Sequence, residues 1–526
     1  MRPQKNGRWA AAAGAGLLAM VLCVAAQGVA QVQPVRTQSG LVRGVALPHG
    51  MEVYKGIPFA APPVGRLRWR PPQPAARWQG VRQADRFGAP CLQPASPERM
   101  GPWTRVFLSK MKPSENCLYL NVWTTARRPR HLRPVMVWIY GGGFTSGAGS
   151  VEIYDGAALA RQGVVVVNFN YRVGPMGFLA WPGLTRESPH HSSGNYGLLD
   201  QMAALRWVQR NIAAFGGNPQ QVTIFGQSAG AASVWLLMQS PLAEGLFQRA
   251  VAMSAPAVIP WPNITGSRSL AEGEREGEKF ARRLGANTLE QLRAVPAEKI
   301  VKNWHGGRWG PISDGWVLRA GWHPAHEVTV INGMVADDLG IGYYGNGPAP
   351  PVTPADLQKT LRRICGTALH ACQGLYPAAN NQQAASARSA ALQDRARVSL
   401  YKWAVRQVGI SPQVYLYYFN HRIPWPQHPQ YAVFHSSGVP YVFDNLRLLH
   451  RPWQPVDHRV AREMSAYWTG FAKTGNPNRH GLPRWPAFRP GSRTIMQLAG
   501  QMKPIPLASP KRQKFWLEHL KEPLGF

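Results

Sequence analysis

Acidic side chains are scarce in this sequence. Its 526 residues carry 26 Asp and Glu against 59 Lys and Arg, a formal net charge of +33. So basic a balance would suit nucleic acid, a membrane surface or an acidic polymer. The basic residues are nevertheless spread along the chain, and the densest runs, Arg127-Arg128-Pro129-Arg130 and Lys511-Arg512, are short. No zinc-finger, RNA-binding or helix-turn-helix signature accompanies them. Nucleic acid is therefore not an expected partner. The charge reads as a solubilising surface, with a negatively charged ester or a cell-wall polymer as the minority alternative.

Cysteine is also sparse, at five residues. His-Glu-x-x-His and Cys-x-x-Cys pairs are missing, so neither a metal nor a cofactor is expected. Long apolar runs are missing too, except one. Arg2, Lys5 and Arg8 precede an Ala- and Leu-rich run from Trp9 to Ala26, and Gly28-Val29-Ala30 follows. This pattern predicts a signal peptide over residues 1–30 and an exported mature chain starting near Gln31, with an uncleaved anchor helix as the alternative. Met20-Val21-Leu22-Cys23 is a poor lipobox. No other stretch is long and apolar enough to span a bilayer. Cleavage would remove Cys23 and leave Cys91, Cys117, Cys365 and Cys372. An even count in an exported chain predicts two disulfides, and pairing Cys91 with Cys117 and Cys365 with Cys372 closes two local loops. There is no internal repeat and no long linker, so residues 31–526 are expected to form one domain.

What the sequence does contain is organised around Gly226-Gln227-Ser228-Ala229-Gly230. The apolar run Val222–Phe225 precedes it and a helical pattern, Ala231–Met238, follows. A Gly-x-Ser-x-Gly turn between strand and helix is the context of a nucleophile elbow. Glycines permit the sharp turn, and the helix start aims free N–H groups at the place where an oxyanion would form. Upstream, Gly40–Gly44, Glu52–Pro58, Cys117–Trp123, Val135–Tyr140 and Val164–Asn168 read as strands. Leu198–Phe215 has helical spacing. Alternating strands and helices predict an α/β fold with a mainly parallel sheet. Val328–Ala336 and Gln413–Phe419 read as later strands and Val460–Phe471 as a late helix. Between these strands, residues 341–397 carry short helical patterns and are expected to form an insertion over the mouth of the site.

A serine needs a base, and the hydrolase order is serine, acid, histidine. His435, in a turn-like stretch between apolar segments, stands out over His305, His323 and His450. Asp337-Asp338 ends the mostly apolar segment Val328–Ala336, where a strand-end loop belongs; it is the candidate acid, although position alone favours a solvated loop. Gly141-Gly142-Gly143 closes the Val135–Tyr140 strand, where bare backbone can approach a carbonyl. No Gly-Lys-Ser/Thr follows it and no dinucleotide pattern is complete, so it is not a phosphate loop. Trp181, Trp261, Trp304, Trp309, Trp316, Tyr343, Tyr344 and Trp425 are candidates for pocket walls.

These features together resemble the type-B carboxylesterases, the group of cholinesterases, mammalian carboxylesterases and para-nitrobenzyl esterases. The resemblance runs through Lys55–Pro58, Asn116–Trp123, Gly141–Phe144, Asn170–Gly174, Asn195–Gln201, Phe215–Pro219, the elbow and Gly470–Pro477. It implies an α/β-hydrolase fold and hydrolysis of a small-molecule ester through an acyl-enzyme. It implies Ser228 as nucleophile and His435 as base, with oxyanion donors at the N–H groups of Gly142, Gly143 and Ala229. It also implies the Cys91–Cys117 disulfide and a supporting role for Ser254. The family pattern Gly-x-x-x-Asp-Glu places its acid at Asp338 in Gly333–Asp338. The chain departs from the family at Gln227, where many members have Glu, and at Gly438, where an acid is common. An adhesion protein that has lost catalysis, and an amidase or acyltransferase with the same triad, are the alternative functions.

Overall fold

The computed structural model describes residues 32–125, 131–254, 268–305, 307–321, 326–338 and 351–522. The expected signal peptide lies outside them. Among the described residues eleven strands form the main sheet. In chain order these are β1 (Val45–Leu47), β2 (Met51–Pro58), β3 (Tyr119–Thr124), β4 (Arg133–Ile139), β5 (Val165–Phe169) and β6 (Gly217–Gln227). They continue as β7 (Arg249–Met253), β8 (Thr329–Val335), β9 (Val414–Phe419), β10 (Thr494–Leu498) and β11 (Lys503–Pro506). The spatial order is β11-β10-β9-β8-β7-β6-β4-β5-β3-β2-β1. Pairing is parallel from β5 through β10. The margins, β3-β2-β1 on one side and β11 on the other, are antiparallel.

The sequence explains the layering. Val135, Met136, Val137, Trp138 and Ile139 of β4 are all fully buried. Successive strand residues point to opposite faces, so both faces of the sheet are covered. Helices α1 (Tyr196–Asn211), α2 (Ala229–Gln239) and α5 (Pro455–Thr474) pack against β6. Every residue of α2 is buried, as its apolar, alanine-rich sequence requires. The chain runs outward from β4 to β5, then returns to the other side of β4 as β6. This reversal of strand order opens a crevice at the carboxyl ends of β4 and β6, where ligands bind in open α/β sheets.

Two expectations change in detail. Within residues 341–397 the described part begins at residue 351. It contains α3 (Pro354–Cys365), the helix Leu369–Leu375 and the 27-residue α4 (Asn381–Gln407). The short patterns of the sequence are thus partly one long helix. Alanine, the best helix former, obscures periodicity there while letting Ala384, Ala387 and Ala391 pack closely. α4 lies against β9, α3 and α6 (Pro510–His519). The late helix α5 starts at Pro455, ahead of Val460, because the Asp457 carboxylate accepts from the Gln454 N–H at 2.7 Å and Pro occupies the first turn.

Disulfides join Cys91 to Cys117 and Cys365 to Cys372. Among the described residues no helix is long and apolar enough to cross a membrane.

Candidate active site

The elbow is built by close approach. A Cβ on Gly226 would sit 2.5 Å from the Gly230 carbonyl carbon, and one on Gly230 would sit 2.0 Å from the Ile139 oxygen. Only glycine fits either place. Between them Ser228 takes φ 60°, ψ −126°, a left-handed conformation that costs a residue with a side chain about 1–3 kcal/mol. Its N–H donates to Met253 O at 3.0 Å and its carbonyl accepts from Ala232 N at 2.9 Å. The hydroxyl makes no capping bond to α2. Ser228 is half-buried, whereas its neighbours Gln227 and Ala229 are buried.

His435 and Asp338 meet from elements 97 positions apart, with Nδ1 2.6 Å from Oδ1. Asp338 is fully buried, and its other oxygen accepts from Val335 N at 2.8 Å. His435 Nε2 is buried with no hydrogen-bond partner. No bond to Ser228 Oγ is therefore formed, and such contacts tighten when substrate binds. Asp337 goes elsewhere. Its N–H donates to Val433 O, pinning the strand end to the histidine loop. It lines a cavity of about 80 Å³ with Arg388, Ser389 and Gln393 of α4. The two adjacent carboxylates thus serve different surroundings.

The glycine loop lies on the elbow. A Cβ on Gly141 would come within 2.5 Å of Gln227 O and 2.9 Å of Ser228 Cβ. Gly142 (φ 109°) and Gly143 (φ 63°) continue a tight turn in which Gly142 O accepts from Thr145 N and Ser146 N. A Cβ on Gly143 would meet nothing nearer than 3.8 Å, so its surroundings are open. Ala229 is the first residue of α2, where a backbone N–H has no intrahelical acceptor. Behind this loop, Tyr140 and Tyr171 stack at 4.4 Å and exchange hydrogen bonds with each other's carbonyls. Arg172 grips Asp200 of α1 through two side-chain bonds of 2.8 Å, both groups buried. These contacts give a physical reason for Asn170–Gly174 and Asn195–Gln201 among the sequence motifs.

Sequence reasoning noted Gln227 only as a departure. In three dimensions its Nε2 donates to the His435 carbonyl at 2.9 Å and its Oε1 accepts from Ser436 Oγ. Trp103 Nε1 donates to that same Oγ at 2.9 Å. These partners lie 208, 209 and 333 positions apart, and no local pattern announces them. Ser254 (φ 62°) is buried and its hydroxyl has no partner. It lines a narrow space of about 10 Å³ with Gln227, His435 and Gly438. A Cβ on Gly438 would make only ordinary contacts at 3.9 Å, so a side chain there is not excluded by packing. Among the aromatic candidates, Trp181, Trp304, Trp309 and Trp425 are buried. Trp316 stacks on His190 and lines a cavity of about 290 Å³ with Trp69, Tyr196 and Asp314. Trp261, Tyr343 and Tyr344 lie outside the described residues.

Residues 31–516 match the family model described as the carboxylesterase family. The chain belongs to this family. Fumonisin B1 esterase of Sphingopyxis macrogoltabida is 37% identical over 481 residues, covering 86% of this chain and 84% of that protein. Acetylcholinesterase of Bungarus fasciatus is 33% identical over 537 residues, covering 92% and 86%. A carboxylesterase is an α/β-hydrolase, and the parallel sheet with its elbow between β6 and α2 has that architecture. The protein is a carboxylic ester hydrolase.

Proposed function

We infer that this carboxylesterase is exported and cleaves a small-molecule ester by acyl transfer to Ser228. His435 takes the Ser228 proton through Nε2 as the hydroxyl attacks, and later returns it to the leaving alcohol. Asp338 holds the imidazole with Nδ1 protonated and stabilises the imidazolium. The N–H groups of Gly142, Gly143 and Ala229 receive the oxyanion. Water then hydrolyses the acyl-enzyme by the same steps. Gln227 supports the histidine segment through its bond to the His435 carbonyl, and Ser254 lines the narrow space beside it. The observation that carries this reading is the 2.6 Å His435–Asp338 bond with Nε2 left unpaired. Two disulfides and the signal-like N-terminus support export, since such bonds persist in oxidising compartments.

The test is an organophosphonate that phosphonylates active serines. The intact protein should gain one adduct, mapped to Ser228, and lose ester hydrolysis in step. Ser228→Ala should take up none and have no turnover. An adduct elsewhere, or near wild-type turnover in that variant, sinks the assignment.

A further inference from the structure

Arg99 and Arg451 converge on one indole from distant parts of the chain. The Arg451 guanidinium lies 3.6 Å from the Trp425 ring centroid and that of Arg99 lies 5.5 Å from it. Arg99 is also 6.0 Å from the Tyr431 ring. Both arginines are half-buried. Each has a buried N–H without a hydrogen-bond partner, Nη2 of Arg99 and Nε of Arg451. Their other bonds go to carbonyls, Gly101 O and His450 O.

Among the described residues no carboxylate balances this pair. All 26 Asp and Glu side chains belong to described residues, and none forms an ion pair with Arg99 or Arg451. Neighbouring Glu98 is turned to Arg105 and is highly exposed. Burial, and then the charge of Arg99, push the Arg451 guanidinium down to about 10. Burial and both arginines also hold His428, edge-on to Trp425, below its ordinary value. Two like charges brought together with donors unmet are stabilised by an anion, and a carboxylate suits forked guanidinium donors.

The position bears on the catalytic machinery. Trp425, His428 and Tyr431 lie on the loop closed by the Ile423 N–H to Ala432 O bond, just before His435. Arg99 lies on a small hairpin, Arg99–Met100 against Trp103–Thr104. That hairpin's Trp103 holds Ser436 and packs edge-on to Phe434.

We propose that Arg99 and Arg451, gathered on Trp425, form a subsite for a carboxylate-bearing ligand on the segment that carries His435. The ligand is either the acid-bearing part of an ester substrate or a free dicarboxylate. The kinetic arm of the test rests on the esterase reading above; the binding arm does not.

Both arms use the full-length protein and the variants Arg99→Gln, Arg451→Gln and Arg86→Gln, the last removing an equal charge from an exposed site. In the binding arm, adipate at ionic strength matched with chloride should raise the melting temperature of wild type and Arg86→Gln. It should not raise that of Arg99→Gln or Arg451→Gln. In the kinetic arm, the 4-nitrophenyl monoester of adipic acid is compared with its neutral monoamide analogue. If the carboxylate belongs to substrate, the preference for the acid falls about tenfold in either arginine variant, through KM. If the ligand is free, the adipate stabilisation is lost while that preference stays. Arg99→Lys and Arg451→Lys, which keep the charge without the fork, should fall between. Loss of ester hydrolysis with intact adipate binding would count against the esterase reading alone. Equal behaviour of wild type, Arg99→Gln and Arg451→Gln in both arms overturns the subsite, as does an equal effect of Arg86→Gln.

Discussion

Replacing Asp338 by Asn exchanges one oxygen for an amino group and leaves the side-chain volume almost unchanged. The structure dictates how that amide must sit. One carboxylate oxygen faces the Val335 backbone N–H at 2.8 Å and the other faces His435 Nδ1 at 2.6 Å. The backbone N–H can only donate, so Asn must turn its oxygen to Val335 and its amino group to His435. Nδ1 then becomes an acceptor, and the proton moves to Nε2. In the proposed mechanism His435 then points a donor where it must receive the Ser228 proton. By analogy with other serine triads, turnover should fall by about ten-thousand-fold, or roughly 5 kcal/mol in the barrier. Asp337→Asn touches neither bond and should stay within about tenfold of wild type. The assay is steady-state hydrolysis of a 4-nitrophenyl ester by both variants, with thermal melts to confirm folding. An inactive Asp337→Asn beside a working Asp338→Asn would refute the assignment of the acid.

Further outcomes follow from other contacts. Arg172→Met leaves Asp200 charged, buried and unpaired, which should cost about 3–5 kcal/mol in denaturant unfolding; a loss under about 1 kcal/mol contradicts the role given to that pair. Arg293 first, then Arg70, hold the Glu187 carboxyl down to about 2 from its ordinary 4.5. Its contribution to stability is therefore full above pH 4.5 and fades as the pH falls toward 2. Glu187→Gln should melt below wild type at neutral pH, with the gap closing over that acid range; a gap independent of pH would count against it. Thiol titration of the denatured, unreduced mature protein should find no free cysteine, and its N-terminus should lie near Gln31. Four reactive thiols would contradict both the pairing and export.

The sequence by itself determined the parts of this protein whose chemistry is local. Gly226 and Gly230 flank a serine between a buried strand and a helix, and the backbone of such a turn follows from those few residues. The buried runs of β4 and β5 read directly as central strands because both their faces are covered. Neighbouring positions on extended chain diverge, which separated Asp337 from Asp338 once family resemblance supplied the order. α4 was less legible, because its alanines satisfy a helix without marking a face. Tertiary structure alone decided which groups meet. Gln227 reaches the His435 carbonyl, Trp103 reaches Ser436 and Arg99 reaches Trp425 across hundreds of intervening residues, and Arg451 meets that same indole. Periodicity in a sequence reports which face of an element turns inward. It carries no record of which distant side chain waits there, since that is set by how the sheet orders its strands and where the loops between them return.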